Sequence, residues 1–237
     1  MKLLCHNAYW FQGHPSRWGA ERVADVPEVL DALTMLYASE GCDVVCLQEV
    51  QRSELAGTLA RDLAMPTCFH APGGMRPDYG GAVLSRLRAR CRDCARMDGH
   101  SPHERTHLRA SIEWQGELLE VAVIHLPSNR YAESPEAGTA ARVDELKRIL
   151  TESPRPNVIV GDMNCRPDSA PYRLVQDAGF ADASAGSHGV DYVWLDATCA
   201  RRLTRFAVLD SGAFCRTTPE GAVWRLSDHA PLIIELR

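Results

Sequence analysis

Four short apolar runs in this chain end in a residue that can carry charge or ligate a metal, and a fifth such group opens the last run. Lys2–Cys5 leads into His6 and Asn7, and Val44–Leu47 into Gln48 and Glu49. Leu118–Ile124 ends at His125, and Asn157–Val160 at Gly161, Asp162, Met163 and Asn164. Ser227, Asp228 and His229 come just before Leu232–Leu236. Runs this apolar and this short read as buried strands. A carboxylate at the mouth of a buried strand loses hydration unless a partner or a cation replaces it. The pattern therefore favours a fold that brings several strand ends to one edge.

Other strands are expected at Ala82–Leu84, Leu108–Trp114, Tyr192–Leu195 and Thr204–Leu209. Helical spacing separates them. Val29, Leu30, Leu33, Leu36 and Tyr37 recur at three-to-four intervals in Pro27–Ser39, with Gly41 just beyond the end. Ser53 is expected to cap a helix striped by Leu55, Leu59 and Leu63. Thr139–Glu152 places Val143, Leu146, Ile149 and Leu150 on one face, and Ser169–Ala178 carries Pro171 in its first turn. Strands that follow both helices and tight turns predict α/β architecture with antiparallel pairs. No repeat or long linker divides the 237 residues, so 1–237 reads as one domain.

Bulk properties exclude some classes. The formal net charge of −5 argues against holding nucleic acid by bulk charge, although local fields still matter. No apolar run approaches a membrane span and no leader peptide is evident, so the expected location is the cytoplasm and the expected state a monomer. Nine scattered cysteines, an odd number, read as reduced thiols. Cys91 and Cys94 have the spacing of a zinc pair but lack a second pair nearby.

Taken singly, Asn7, Glu49 or His125 reads as a turn former or a satisfied structural residue. Together they suit phosphate chemistry. Glu49 offers a hard oxygen to Mg²⁺, Asn7 a carbonyl oxygen, and Asp228 a further carboxylate. Asp162 and Asn164, two apart in an extended turn, face one side and can orient water against a phosphate oxygen. His229 suits a general base near neutral pH, and Asp191, at the start of another strand, is the candidate to orient it. His125 can hold a phosphoryl oxygen or protonate a leaving oxygen.

These motifs, with Gly80 to Arg86 and Val190 to Val193, occur in the order found in the endonuclease/exonuclease/phosphatase superfamily, and the chain resembles that superfamily from Asn7 to Pro231. The resemblance implies the DNase I-like four-layer sandwich: two packed, mostly antiparallel β-sheets flanked by helices. It implies Mg²⁺, with Mn²⁺ as a substitute, held by Asn7, Glu49 and Asp228. It implies catalytic roles for His125, Asp162, Asn164, Asp191 and His229. The superfamily often pairs the histidine at position 125 with a second acid; Asp78 is the candidate.

The implied reaction is in-line attack of water on a phosphate ester. The expected substrate is a phosphodiester in DNA or RNA, cut by endo- or exonuclease action. A small-molecule or lipid-derived phosphate ester is the alternative, and a binding module without catalysis the second. Residues 86–109 hold seven arginines and three histidines, enough to grip a phosphate backbone or simply to form a solvated face. Tyr9, Trp10, Phe11 and Trp18 are candidates to stack on bases or to pack in the core.

Overall fold

The computed structural model describes residues 1–14, 25–94, 102–185, 189–209, 212–217 and 223–237. Trp18, Arg96 and His100 lie outside them. In chain order the strands are β1 (Lys2–Asn7), β2 (Val44–Gln48), β3 (Thr67–Ala71), β4 (Gly81–Ser85), β5 (Ala89–Cys94), β6 (His107–Trp114) and β7 (Glu117–His125). They continue with β8 (Val158–Asp162), β9 (Ala181–Asp182), β10 (Asp191–Leu195), β11 (Leu203–Val208), β12 (Cys215–Thr217), β13 (Val223–Arg225) and β14 (Leu232–Leu236). The helices are α1 (Pro27–Glu40), α2 (Ser53–Asp62), α3 (Pro135–Thr151), α4 (Ala170–Asp177) and α5 (Ala197–Arg202).

The strands form two six-stranded sheets, ordered β11-β14-β1-β2-β4-β3 and β5-β6-β7-β8-β10-β9, with β12 and β13 as a separate ribbon. Between the sheets, Leu3, Cys5, Val44, Cys46 and Val83 meet Leu108, Ile112, Val121, Val123, Val160 and Val193. On the outside of the first sheet, Leu4, Val45 and Leu47 pack against Val29, Leu33 and Tyr37 of α1 and Leu55 and Leu59 of α2. On the outside of the second, Ala122, Ile124, Ile159 and Trp194 pack against Leu146 and Ile149 of α3 and Tyr172 and Val175 of α4. Burying each large aliphatic side chain contributes about 1.5–3 kcal/mol. The result is the expected α/β four-layer sandwich. Inner strands bury both faces, which explains their nearly unbroken apolar runs.

Each sheet contains one parallel pair, β1 with β2 and β7 with β8. Parallel neighbours require a crossover, supplied by α1 in one case and α3 in the other. Both members of a parallel pair end at the same edge. Asn7 therefore pairs with Gln48 next to Glu49, and His125 pairs with Asp162. Antiparallel β10 then sets Asp191 opposite Asp162. Since β1 packs across β8 and β2 across β7, the two sets of strand ends adjoin.

Strands β3, β5, β9, β12 and β13 were not expected from the sequence; the first three are sheet edges, where one apolar face suffices and charged residues are tolerated, and the last two form a separate ribbon. Ser53 does not cap α2: Arg52 holds that position with no side-chain capping bond, and Ser53 is the first helical residue. Helix α3 starts at Pro135 rather than Thr139, because Ser134 caps it by accepting from the Ala137 N–H at 3.2 Å. Helix α5 starts where Asp196 accepts from the Cys199 N–H at 2.7 Å. Among the described residues no helix is long and apolar enough to cross a membrane.

Candidate active site

Asp162 stands at the middle of the strand-end cluster. Its Oδ1 accepts the Asn164 N–H at 2.8 Å. Its Oδ2 lies 3.2 Å from His125 Nε2, 3.4 Å from Asn7 Nδ2 and 3.8 Å from His229 Nε2. Burial alone would raise this carboxyl's pKa; the adjacent His125 and His229 and the Asn164 N–H instead hold it well below the usual carboxylate range. Asn164 donates its side-chain amide to Leu126 O at 3.0 Å, tying the turn to the end of β7.

Gly161 explains how Asp162 reaches this place. Its φ is +140°, and a Cβ there would lie 1.8 Å from Ile124 O. Only glycine lets β8 come this close to β7 immediately before Asp162.

On the other side, Asp191 Oδ2 lies 2.6 Å from His229 Nδ1. Burial would depress the imidazole's pKa, but Asp191, Asp162 and Asp228 raise it well above its ordinary value. Ser227, fully buried, donates to Asn7 O at 2.8 Å and accepts the His229 N–H at 3.1 Å. His6 completes the support: its Nε2 donates to His229 O at 2.9 Å, so its Nδ1 accepts from Tyr37 O–H at 2.6 Å. Burial pushes His6 down to about 3, which keeps this ring neutral.

Glu49 is 5% exposed and has φ +56°, a left-handed conformation that costs a non-glycine residue about 1–2 kcal/mol. Tyr9, Trp10 and Phe11, which follow Asn7, are left-handed as well. Tyr9 N donates to Asn7 Oδ1 at 3.1 Å and Trp10 N to Glu49 O at 3.1 Å, so the two strained turns brace each other. Trp10 and Phe11 are buried and pack in the protein interior rather than standing out to stack on bases.

His125 is flanked by Glu49, whose Oε1 is 3.7 Å from Nδ1, and by Asp162 on Nε2. Glu49 and Asp162 are thus acids beside His125; Asp78 is an exposed loop residue whose carbonyl accepts Trp10 Nε1 at 2.7 Å. Sequence reasoning also missed Arg105. It is 4% exposed, and its guanidinium contacts His125 Nε2, donates to Ser128 Oγ at 2.6 Å, and lies 4.2 Å over the Tyr79 ring. No motif points to Arg105, since its neighbours in space come from β7 and the following turn.

The expected ligands Asn7, Glu49 and Asp228 border the same space. Among the described residues, ligand atoms of Asp162, Asp191 and His229 lie within 4.8 Å of one another; His103, His107 and Glu152 form a second such group elsewhere. The buried Glu49 Oε2 and Asp191 Oδ1 have no hydrogen-bond partner among the described residues. Burial, reinforced by Asp228 and Asp162, lifts the Glu49 carboxyl to about 8. Uncompensated oxygens within a cluster of carboxylates fit a divalent cation. Beside this cluster, Asp191, Asp228 and His229 border a cleft of about 440 Å³ walled partly by Val208, Phe214 and Leu232.

Residues 5–229 match the Endonuclease/Exonuclease/phosphatase family. The chain belongs to that family. This membership makes it a metal-coordinating phosphoesterase fold. Sphingomyelinase C from Streptomyces griseocarneus is 19% identical, with a TM-score of 0.69 over 100% of this chain and 99% of that one. A beta toxin from Staphylococcus aureus is 17% identical, with a TM-score of 0.69 over 100% and 99%. An endonuclease/exonuclease/phosphatase family protein from Bacteroides thetaiotaomicron is 12% identical, with a TM-score of 0.68 over 100% and 97%. At these identities the likeness shows the shared fold. No curated protein matches the chain.

Among the described basic residues of 86–109, Arg86, Arg88, Arg90 and Arg92 are exposed and the others are buried. His103, Arg105, His107 and Arg109 are at most 4% exposed. Arg109 meets Glu152 at 3.1 Å, and Arg92 donates to Ser111 Oγ at 2.5 Å.

Proposed function

We propose that this chain hydrolyses a phosphodiester in a small-molecule or lipid-derived phosphate ester. The observation that carries the chemistry is the placement of two histidines about one carboxylate oxygen: His125 and His229 lie 3.2 and 3.8 Å from Asp162 Oδ2. Asp191 holds His229 by Nδ1; in the neutral form of the ring, favoured when a cation offsets the carboxylates that raise its pKa, Nε2 can take a proton from water and Asp191 stabilises the imidazolium that results. Asp162 and Asn164 orient that water. His125, backed by Arg105, meets the phosphoryl or leaving oxygen. Asn7, Glu49 and Asp228 hold the cation, which we assign as Mg²⁺, with Mn²⁺ able to replace it. When bound, it neutralises charge on the phosphate oxygens.

Two features support a small or lipid-derived substrate over DNA or RNA. Four basic residues that could have tracked a nucleic-acid backbone are buried in internal contacts. The cleft beside His229 mixes Asp191, Arg225 and Asp228 with Val208, Phe214 and Leu232, room for a polar headgroup and a small apolar part together, and a sphingomyelinase C shares the fold over its whole length.

The test is a panel of bis-(p-nitrophenyl) phosphate, a choline phosphodiester lipid, plasmid DNA and RNA, each with Mg²⁺, Mn²⁺ or EDTA. EDTA-sensitive turnover with kcat/KM at least tenfold higher on a small or lipid diester is the expected result. Preference for DNA or RNA overturns the substrate assignment. No metal-dependent turnover on any of them leaves a binding module.

A further inference from the structure

Next to His125 the protein carries a set of aromatic and guanidinium groups that the proposed chemistry leaves unused. Tyr79, buried, meets the His125 ring edge to face with centroids 5.6 Å apart. Tyr131 follows, 6.3 Å from Tyr79, and the two hydroxyls are hydrogen-bonded at 2.9 Å. Tyr131 is 38% exposed, so this chain of rings runs from the buried imidazole out to solvent. Arg76 lies over the Tyr131 ring with Cζ 3.6 Å from its centroid, and Arg105 lies over the Tyr79 ring at 4.2 Å. Arg130, which is exposed, has Cζ 5.7 Å from the Tyr131 centroid.

We propose that this rim binds an anionic group, a carboxylate or a second phosphate, on one substituent of the phosphodiester. Arg76 is the principal contact, with Arg130 beside it. The inference rests on the proposed hydrolysis for the place of the scissile phosphate, and it narrows the substrate class. A substituent that runs from that phosphate past Tyr79 reaches Tyr131 and Arg76.

Charge sets the sign of the group. Arg76, Arg105 and Arg130 all lie within 5.7 Å of the Tyr131 centroid. Among the described residues Glu104 is the carboxylate that pairs with Arg76, at 3.1 Å, and with Arg105, at 3.6 Å. One carboxylate shared by two of three guanidiniums leaves the rim positive. Asp78 and Glu133, the other acids of segments 72–80 and 126–134, are exposed, where water and salt screen them.

The ring faces set the kind of contact. A quaternary ammonium headgroup is held over an aromatic face. Here Arg105 covers a face of Tyr79 and Arg76 a face of Tyr131. The rim offers guanidinium N–H groups instead, which match the oxygens of a carboxylate or a phosphate.

The site is also preformed. The Arg76 backbone N–H donates to Glu104 O at 2.9 Å and its Nε to Glu104 Oε1 at 3.1 Å, which leaves both Nη groups without a hydrogen bond among the described residues. Tyr131 ends a 3-10 turn, Asn129–Tyr131, braced from the interior. Arg142, 4% exposed, donates from Nη1 to Pro127 O at 2.9 Å and to Asn129 Oδ1 at 3.0 Å. Groups already held in place lose little freedom on binding.

The test compares three symmetrical diesters with Mg²⁺, so that either arm can occupy the rim: bis(2-carboxyethyl) phosphate, diethyl phosphate and bis(choline) phosphate, followed by phosphorus NMR. The kcat/KM for the carboxyethyl ester is expected to exceed that for the ethyl ester by about tenfold or more, with the choline ester lowest. Arg76→Gln is expected to bring the carboxyethyl-to-ethyl ratio near one, through KM, and Arg76→Lys to retain part of it. If Arg76→Gln does not fold, Arg130→Gln, in the exposed turn, supplies the test by a smaller fall in the same ratio. Calorimetry with 2-carboxyethyl phosphate and ethyl phosphate reads the rim without turnover: the Kd values are expected to differ by about tenfold in the wild type and to converge in Arg76→Gln. Equal kcat/KM for the carboxyethyl and ethyl esters, or preference for the choline ester, overturns the anionic rim and leaves the hydrolase reading intact. A preference that survives in folded Arg76→Gln overturns it as well. Turnover of bis-(p-nitrophenyl) phosphate, run in parallel, reports on the hydrolase reading separately; where no ester is turned over, the calorimetric ratio decides the rim.

Discussion

Asp191 and His229, 38 residues apart, meet through Oδ2 and Nδ1 at 2.6 Å, and the ring's other nitrogen points towards Asp162 at 3.8 Å. Asp191 owes its position to antiparallel pairing of β10 with β8, while His229 is held from behind by Ser227 and His6. His229 is thus fixed at three points, one on the ring and two on its backbone, before any substrate arrives.

Asp191→Asn keeps the shape of this contact and removes its charge. An asparagine amide facing Nδ1 favours the tautomer with the proton on Nε2, where a base needs its lone pair. Turnover of bis-(p-nitrophenyl) phosphate is expected to fall about 10²–10⁴-fold, with an unchanged far-UV circular dichroism spectrum. Near-native turnover would remove Asp191 from its role.

Glu49→Gln separates stability from metal binding. The wild-type carboxylate is buried with one unpaired oxygen. Without metal, the variant is expected to melt close to the wild-type temperature, because burial lifts the Glu49 carboxyl to about 8 and keeps it neutral, as the amide is. Added Mg²⁺ is expected to raise Tm of the wild type and leave Glu49→Gln unmoved. Equal responses in a thermal melt would place the cation elsewhere.

Gly161→Ala tests the backbone approach that positions Asp162. The new Cβ meets Ile124 O and cannot relax by a side-chain rotation. A loss of more than about 3 kcal/mol is expected in urea unfolding, from the named strain at a special φ and steric overlap. A loss below 1 kcal/mol would show that β7 and β8 separate easily.

Arg105→Lys keeps a positive charge but loses the fork that spans His125 and Ser128. The variant is expected to lose at least tenfold in kcat with a smaller change in KM, since the contact is to His125 and not to the bound cation. Steady-state kinetics of the folded variant check this.

His6 gives a pH dependence with a definite sign. Its folded pKa is about 3 because of burial, below the ordinary value of 6.5. The unfolded chain therefore binds more protons between those values, and stability falls as pH drops through that window. The slope from this one ring is about 1.4 kcal/mol per pH unit. His6→Gln is expected to flatten the stability profile between pH 6 and pH 4, measured by urea unfolding; an unchanged slope would contradict a neutral buried ring.

The core strands and helices α1 to α4 were legible because repeated burial leaves little freedom in residue type; α5 was not expected. Val44–Leu47 and Leu118–Ile124 could hardly be anything else. The edge strand β5 was not, since Arg90 and Arg92 project into solvent or towards polar partners. The arginine- and histidine-rich stretch read as one basic segment, yet strand alternation and the turn before β6 send Arg90 outward and Arg105 and Arg109 inward. Composition does not reveal which way a side chain faces.

The sequence by itself determined that apolar strands end in carboxylates, amides and imidazoles, because charge is tolerated only where a buried run meets an opening. Which of these residues meet was decided by the tertiary structure. Two parallel pairs bring Asn7, Glu49, His125 and Asp162 to one edge, and β10 and the turn before β14 bring Asp191 and His229 across to them. The same packing put Arg105 beside His125 and stacked His103 on His107. Contacts between distant segments depend on strand order and register, which local sequence preferences do not encode.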